Sequence, residues 1–439
     1  MSHSSPTFVV VGAGIAGIAA AVRLHRLGAQ VRVVDPQPAG GKAHTLVRGD
    51  WRIEVGPHSF TSRADAMFEL AADLGIGDRI VKLGAAAGNR YIVRGGKLCK
   101  AGPMALSLGE MFGVVRGLFR SGPVPAGMSV REFLAERLGE SFADGPGDAM
   151  LTGIWAASPA EVEMETAFPA LTAGVREHGT IFAAVRSLPK GRPSGTYAFE
   201  AGMGAIGEAA RAQLSSGAFV GSEATAVRRD RAGWVVETGE GALWADGVVV
   251  ATHAPTASRL LADLAPDAAD RLSGIRYSPL AVAHWISPDA AFPHGFGWLS
   301  PFREARPMLG TLFSSDIFPG RAPAGMRAFT SMFGGTRRPE DALLDPQAIS
   351  ERLRAEHRAL TGRDVTIAGI EVMRHPRAVP IPEPGHAARV TAILGAMPDG
   401  LALAGAWCGC GAMNDAAAAG FVAATRLWQE HAHRREHVA

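Results

Sequence analysis

Residues 7 to 35 set out a strand, a turn, a helix and a second strand ending on an acid, and few folds accept that order. Thr7-Phe8-Val9-Val10-Val11 is β-branched and aromatic, apolar without alternation, as a strand covered on both faces must be. It enters Gly12-Ala13-Gly14-Ile15-Ala16-Gly17, a G-x-G-x-x-G turn. Gly12 permits the tight turn, Gly14 lets backbone approach a pyrophosphate, and Gly17 lets the next helix close on the strand. That helix, residues 19–27, stops at Gly28, and its N-terminus offers free amides and a partial positive charge to phosphate oxygens. A second apolar strand, residues 30–34, ends on Asp35, placed to accept the ribose hydroxyl bonds. A free carboxylate there favours an unphosphorylated ribose, as in FAD or NAD, over NADP. Gly40-Gly41-Lys42 follows, a second glycine turn that a simple NAD site does not need.

At 439 residues the chain has material for roughly two to three domains. Its 47% hydrophobic and 20% charged composition suits an ordinary soluble α/β protein. Lys and Arg number 44 against 42 Asp and Glu, a net charge of +2 that leaves no footprint for nucleic acid. Cys99, Cys408 and Cys410 cannot frame a disulfide scaffold and imply a reducing compartment. The opening residues lack the basic stretch of a secretion signal. No apolar run of about 20 residues suggests a bilayer span.

The pattern divides the chain into five segments. Residues 1–87 read as the first nucleotide-binding piece, and residues 88–192 as mainly helical, with a capping box at Ser129 and Glu132. Residues 104–119 are strongly apolar, fitting either core or an in-plane helix on a membrane surface. A linker rich in Pro, Gly and basic residues spans 189–195. Residues 193–275 return to nucleotide-binding strands, including one at 224–228. Residues 276–392 alternate short strands with Pro and Gly turns, as an antiparallel substrate sheet would, and 393–439 close the nucleotide domain with a strand and a last helix. The expected class is α/β, α+β overall: a Rossmann-like domain interrupted by a helical domain and an antiparallel-sheet domain.

Further motifs carry a resemblance. Gly40-Gly41-Lys42 resembles the second half of the FAD motif of the flavin oxidase superfamily of amine oxidases, carotenoid desaturases and porphyrinogen oxidases. Glu54-Val55-Gly56-Pro57-His58-Ser59-Phe60, Asn89-Arg90-Tyr91 with Gly95-Gly96, Gly153-Ile154-Trp155, Phe296-Gly297-Trp298-Leu299, Met332-Phe333-Gly334-Gly335 and Gly405 with Met413-Asn414-Asp415 follow in the order seen in oxygen-dependent protoporphyrinogen oxidases. The chain resembles that family over nearly its full length. The resemblance implies FAD held by residues 12–17, Asp35, Gly40, Gly41, Lys42, Gly56, Pro57, His58, Ser59, Val227, Gly405, Trp407, Met413 and Asn414. It implies a tetrapyrrole substrate with a propionate on Arg90, rings between Phe296 and Leu299, Met332 on the far wall and Gly153 giving room to a pyrrole. Flavin N5 would take hydride from a methylene bridge and O2 would return the flavin, giving H2O2, so no catalytic side chain and no metal is expected. The place implied is the cytoplasm, with loose attachment to the inner face of a membrane. A homodimer stays open.

Three departures widen the choice. Lys42 stands where the family usually has Arg and loses the planar fork. Pro380-Ile381-Pro382 replaces a Pro-Gln-Tyr pattern, and Cys408-Gly409-Cys410-Gly411 replaces Tyr-x-Gly-Val. Coproporphyrinogen III, a flavin amine oxidase or carotenoid desaturase substrate, and a catalytically silent flavin-binding partner protein therefore stand as alternatives.

Overall fold

The computed structural model describes residues 5–188, 192–215, 217–231, 233–318 and 320–436, so the first part of the expected linker at 189–195 lies outside the described residues. Five parallel strands form one sheet in the order Phe219–Val220, Gln30–Val34, Thr7–Val11, Gly247–Val250, Leu401–Leu403. Stretches far apart in the chain thus build a single layer. Thr7–Val11 lies at its centre, which is why its residues show no polar alternation. Helix Ile15–Arg26 packs on one face beside helix Met413–Glu436. Small residues set that spacing: a Cβ on Gly420 would lie 2.2 Å from the Ala16 carbonyl oxygen. The long uncharged stretch near the C-terminus is therefore a strand, a turn and a helix.

A second sheet has seven strands, in the order Gly369–Pro380, Tyr277–Ser287, Arg327–Gly334, Gly310–Leu312, Gly297–Leu299, Arg90–Arg94, Lys97–Lys100. Neighbours are antiparallel except Gly297–Leu299 with Arg90–Arg94. The last two strands correct the reading of 88–192 as helical from its start. Gly95 and Gly96, at φ +55° and +75°, turn a tight hairpin that attaches this stretch to the substrate sheet. The alternating period sorts the two faces. Ala281, Ala283, Trp285, Phe329 and Phe333 join Phe292, Phe313 and helix Pro346–Thr361 in a back core. Val282, His284, Thr330, Met332 and Leu299 occupy the alternate positions on the front.

The helices between 108 and 187 enclose Phe133, Leu151, Trp155, Met164 and Val175. The expected capping box is present: Glu132 N donates to Ser129 Oγ at 3.2 Å and Ser129 N to Glu132 Oε2 at 2.8 Å. An equivalent box at Ser107 and Glu110 starts helix Leu108–Leu118. Leu108, Phe112, Val115 and Phe119 are exposed, so this apolar stripe is not core. Among the described residues no helix is long and apolar enough to cross a membrane.

Candidate active site

The two glycine turns meet. Gly40 N donates to Ala13 O at 2.8 Å, and a Cβ on Gly41 would lie 3.2 Å from Gly14 Cα. Gly12 and Gly17 serve packing: a Cβ on Gly17 would lie 1.8 Å from Gly12 O. Gly14 does not, since a Cβ there would meet nothing within 4 Å. The helix that starts at Ile15 has no side-chain cap and no acid in its first turn. Open space beside Gly14 and uncapped amides fit the pyrophosphate of a dinucleotide. Asp35 closes the turn, its Oδ2 accepting from Ala13 N at 2.7 Å and its Oδ1 from Gln37 N at 2.8 Å.

Lys42 reaches toward the substrate sheet. Its Nζ donates to the carbonyls of Arg377 (2.5 Å) and Ala378 (2.7 Å) in strand Gly369–Pro380, and burial pulls its pKa down to about 8. The arrangement joins the second glycine turn to the sheet, which a sequence reading based on phosphate contact did not foresee. A Cβ on Gly56 would lie 2.6 Å from Lys42 O, so the Gly56-Pro57-His58-Ser59 turn packs on the same spot. His58 faces His284 with ring centroids 6.1 Å apart, and burial, with Arg321 nearby, pushes its pKa down to about 3. His284 bonds Thr330 Oγ1 through Nδ1 at 3.0 Å and is held neutral by burial, while its buried Nε2 has no hydrogen-bond partner. His375 Nε2 lies 2.9 Å from Val55 O.

The C-terminal loop is organised by Asp415, part of the Met413-Asn414-Asp415 motif but given no role of its own there. Its Oδ2 accepts from Cys410 N (2.9 Å), Ala412 N (3.1 Å) and Cys410 Sγ (3.0 Å). Burial pushes both the Cys408 and Cys410 thiols up to about 12, so each is a protonated, free thiol. Trp407 is buried and donates to Thr252 O at 3.1 Å, beside Gly405, whose Cβ would lie 2.5 Å from the indole nitrogen. Asn414 Oδ1 accepts from Ala66 N at 2.9 Å, at the start of helix Asp65–Asp73. Met413 begins the last helix, and Val227 is buried among Val236 and Trp234.

The expected substrate residues come together in two contacts. The Arg90 guanidinium lies 4.3 Å from the Phe296 ring centroid. A Cβ on Gly153 would lie 2.8 Å from Leu299 Cδ2, so helix Asp148–Trp155 presses its glycine onto that side chain. Met332 pairs with Gly310, which pairs with Leu299, so Met332 and Leu299 share the front face with only a glycine between them. Val282, opposite Met332, and Leu312, beyond Gly297, extend this apolar floor. Alternation from Met332 and Leu299 was the available signal for both. Among the described residues no group of His, Cys, Asp and Glu is arranged to hold a metal.

A model of flavin containing amine oxidoreductases matches residues 15–428. The chain belongs to that family. It is an FAD-dependent oxidoreductase. Among relatives, the chloroplastic protoporphyrinogen oxidase of Nicotiana tabacum is 27% identical over 438 residues, 89% of this chain and 79% of that protein. The coproporphyrinogen III oxidase of Propionibacterium freudenreichii is 29% identical over 406 residues, 76% of this chain and 75% of that protein. A crystal structure from Exiguobacterium sp., provisionally named a protoporphyrinogen oxidase, shares the fold with a TM-score of 0.84 at 20% identity, covering 98% of this chain and 100% of that one.

Proposed function

We propose that this family member oxidises protoporphyrinogen IX to protoporphyrin IX in tetrapyrrole synthesis, each pair of hydrogens removed reducing one O2 to H2O2. Residues of 1–87, 193–275 and 393–439 hold FAD, with Gly14, Ile15 and Gly41 around its phosphates, Asp35 at its ribose and Lys42 tying the second glycine turn to the substrate sheet. Bound FAD supplies the hydride acceptor. The chain supplies orientation and exclusion of water. The observation that carries the reading is Arg90: stacked on Phe296, it forms no salt bridge among the described residues, beside a floor of Leu299, Met332 and Leu312. An unpaired cation at the edge of an apolar floor suits a flat macrocycle bearing a carboxylate. Coproporphyrinogen III is the second reading, favoured by Arg306, Arg337 and Arg338 around a cavity that begins at Ser300, next to Leu299 in the chain.

Anaerobic mixing tests this. Addition of either porphyrinogen to the yellow holoenzyme is expected to bleach the flavin absorbance and leave porphyrin fluorescence. If neither does so while dithionite bleaches the flavin, the proposal fails, and amines, polyenes or a silent flavin-binding role come forward.

The exposed stripe of helix Leu108–Leu118 supports peripheral attachment to the inner face of the cell membrane. Phe119 extends it to Phe182, 4.9 Å between centroids, with exposed Arg116, Arg120 and Arg186 at its rim. Burying one such side chain in a lipid interface is worth about 1.5–3 kcal/mol. The double variant Leu108→Asp/Phe112→Asp is therefore expected to bind anionic vesicles at least about tenfold less than the parent in a flotation assay. Equal flotation of the two proteins would contradict this contact.

A further inference from the structure

Past the end of strand Gly297–Leu299 lies a cavity of about 30 Å³. Thr152, Ser300 and Gly334, near neighbours in sequence of Gly153, Leu299 and Met332, line it together with Arg306, Arg337 and Arg338. These arginines are incompletely used. Arg337 Nη2 donates to Asp148 Oδ1 (2.5 Å) and Ser158 Oγ (2.8 Å), but its buried Nη1 has no hydrogen-bond partner. Arg306 donates to Gly96 O at 3.1 Å and lies 3.5 Å from Glu356 Oε2, while its buried Nε is likewise unpartnered. Arg338 donates to Arg306 O and lies 5.7 Å from the centre of the Phe302 ring, whose other neighbour is Arg337 at 4.5 Å. Among the described residues Arg338 has no carboxylate partner. The acid that lines the cavity, Asp341, is taken by Arg352 at 2.7 Å. Counting Arg352, four arginines thus face three carboxylates (Asp148, Asp341, Glu356), leaving one positive charge, two buried N–H groups and the buried Glu356 Oε1 unmatched.

We propose that this cavity is a carboxylate pocket, receiving a propionate from the edge of the tetrapyrrole opposite the one at Arg90; the inference rests on the second reading above, coproporphyrinogen III, because protoporphyrinogen IX has no propionate at that edge. A buried donor without a partner is costly, and a carboxylate satisfies several guanidinium groups at once. The spacing agrees. Arg90 is paired with Gly297, where strand Gly297–Leu299 begins, and the cavity starts at Ser300, just past its end. Three residues of extended chain, roughly 10 Å, separate Gly297 from Ser300, the scale of a tetrapyrrole ring. Coproporphyrinogen carries a propionate on every pyrrole ring, so it presents carboxylates at opposite edges. Protoporphyrinogen carries them only on neighbouring rings and offers vinyl groups elsewhere. The pocket therefore selects for the more highly carboxylated substrate.

The experiment is equilibrium titration of the holoenzyme with the stable porphyrins coproporphyrin III and protoporphyrin IX, followed by flavin fluorescence, for the parent, Arg338→Gln and Arg306→Gln. The parent is expected to prefer coproporphyrin. In each variant the ratio of the two affinities is expected to shift about tenfold toward protoporphyrin, the loss of one charge-assisted bond. An unchanged ratio in both variants overturns the pocket, as does an equal loss for both ligands. Should Arg338→Gln fail to retain flavin, Arg338→Lys is read instead, with a smaller shift in the same direction expected. Porphyrinogen turnover by the parent is followed in parallel. Turnover with an unchanged ratio sinks the pocket alone, whereas no turnover of either porphyrinogen sinks the functional reading itself.

Discussion

Arg321→Met is expected to destabilise the protein by roughly 3–5 kcal/mol, as breaking one side of a buried ion pair does. Arg321 and Glu54 are each 2% exposed, with Nη1 and Oε1 2.6 Å apart. Glu54 also accepts from Thr45 Oγ1 (2.9 Å) and from Met203 N (3.2 Å), while Arg321 O accepts from Arg52 N at 3.3 Å. The pair therefore ties three distant stretches of chain immediately before the Gly56-to-Ser59 turn. Burial already raises the Glu54 pKa, and Arg321 is the chief group opposing that rise. Without Arg321 the folded pKa climbs further above the unfolded one. A group so shifted favours the folded state at low pH and loses that contribution as pH rises. The defect should accordingly deepen from the ordinary carboxylate range up to neutral pH. Thermal melting of parent and variant holoenzymes across that range checks this, and the double variant Glu54→Gln/Arg321→Met should recover part of the loss. A variant that melts with the parent at neutral pH would show that the pair carries no such load.

Gly17→Ala is expected to weaken FAD binding by roughly tenfold or more and to destabilise the apoprotein, as overpacking against fixed backbone does. The added methyl would overlap Gly12 O at 1.8 Å, and Gly12 is itself fixed by its N–H bond to Val34 O at 2.8 Å. Gly14→Ala is the discriminating partner. Its methyl would project into the empty space beside the turn, so the apoprotein should melt like the parent while FAD affinity falls. Flavin titration and apoprotein melting separate the two. Unimpaired FAD binding by Gly14→Ala would move the pyrophosphate away from this turn.

What was legible in the chain is what is local. The run from Thr7 to Asp35, the capping box at Ser129 and the strand-turn-helix near the C-terminus each declare themselves within a few residues, because backbone geometry and periodicity act at short range. The grouping of Arg90, Phe296, Leu299, Met332 and Gly153 rested on resemblance alone, and the sheet register explains why these distant residues lie near one another. Contacts between remote segments left no such mark. Nothing near Glu54 announces Arg321, and nothing in Gly40-Gly41-Lys42 says that Lys42 bonds the carbonyls of Arg377 and Ala378. The stripe of Leu108, Phe112 and Val115 shows apolar spacing, but whether another element covers it depends on the whole fold. The hairpin Arg90–Lys100 was assigned to a helical region because its partner strand, Gly297–Leu299, lies far along the chain.

The most direct test of the central claim is aerobic turnover of protoporphyrinogen IX and coproporphyrinogen III by the holoenzyme and its Arg90→Ala variant, read as porphyrin fluorescence above the no-enzyme rate. The account predicts enzyme-dependent porphyrin with at least one substrate. It also predicts a loss in kcat/KM of about tenfold or more in the variant, the cost of one charge-assisted carboxylate bond. Absence of turnover with flavin bound and the fold intact, or a variant as fast as its parent, would contradict it.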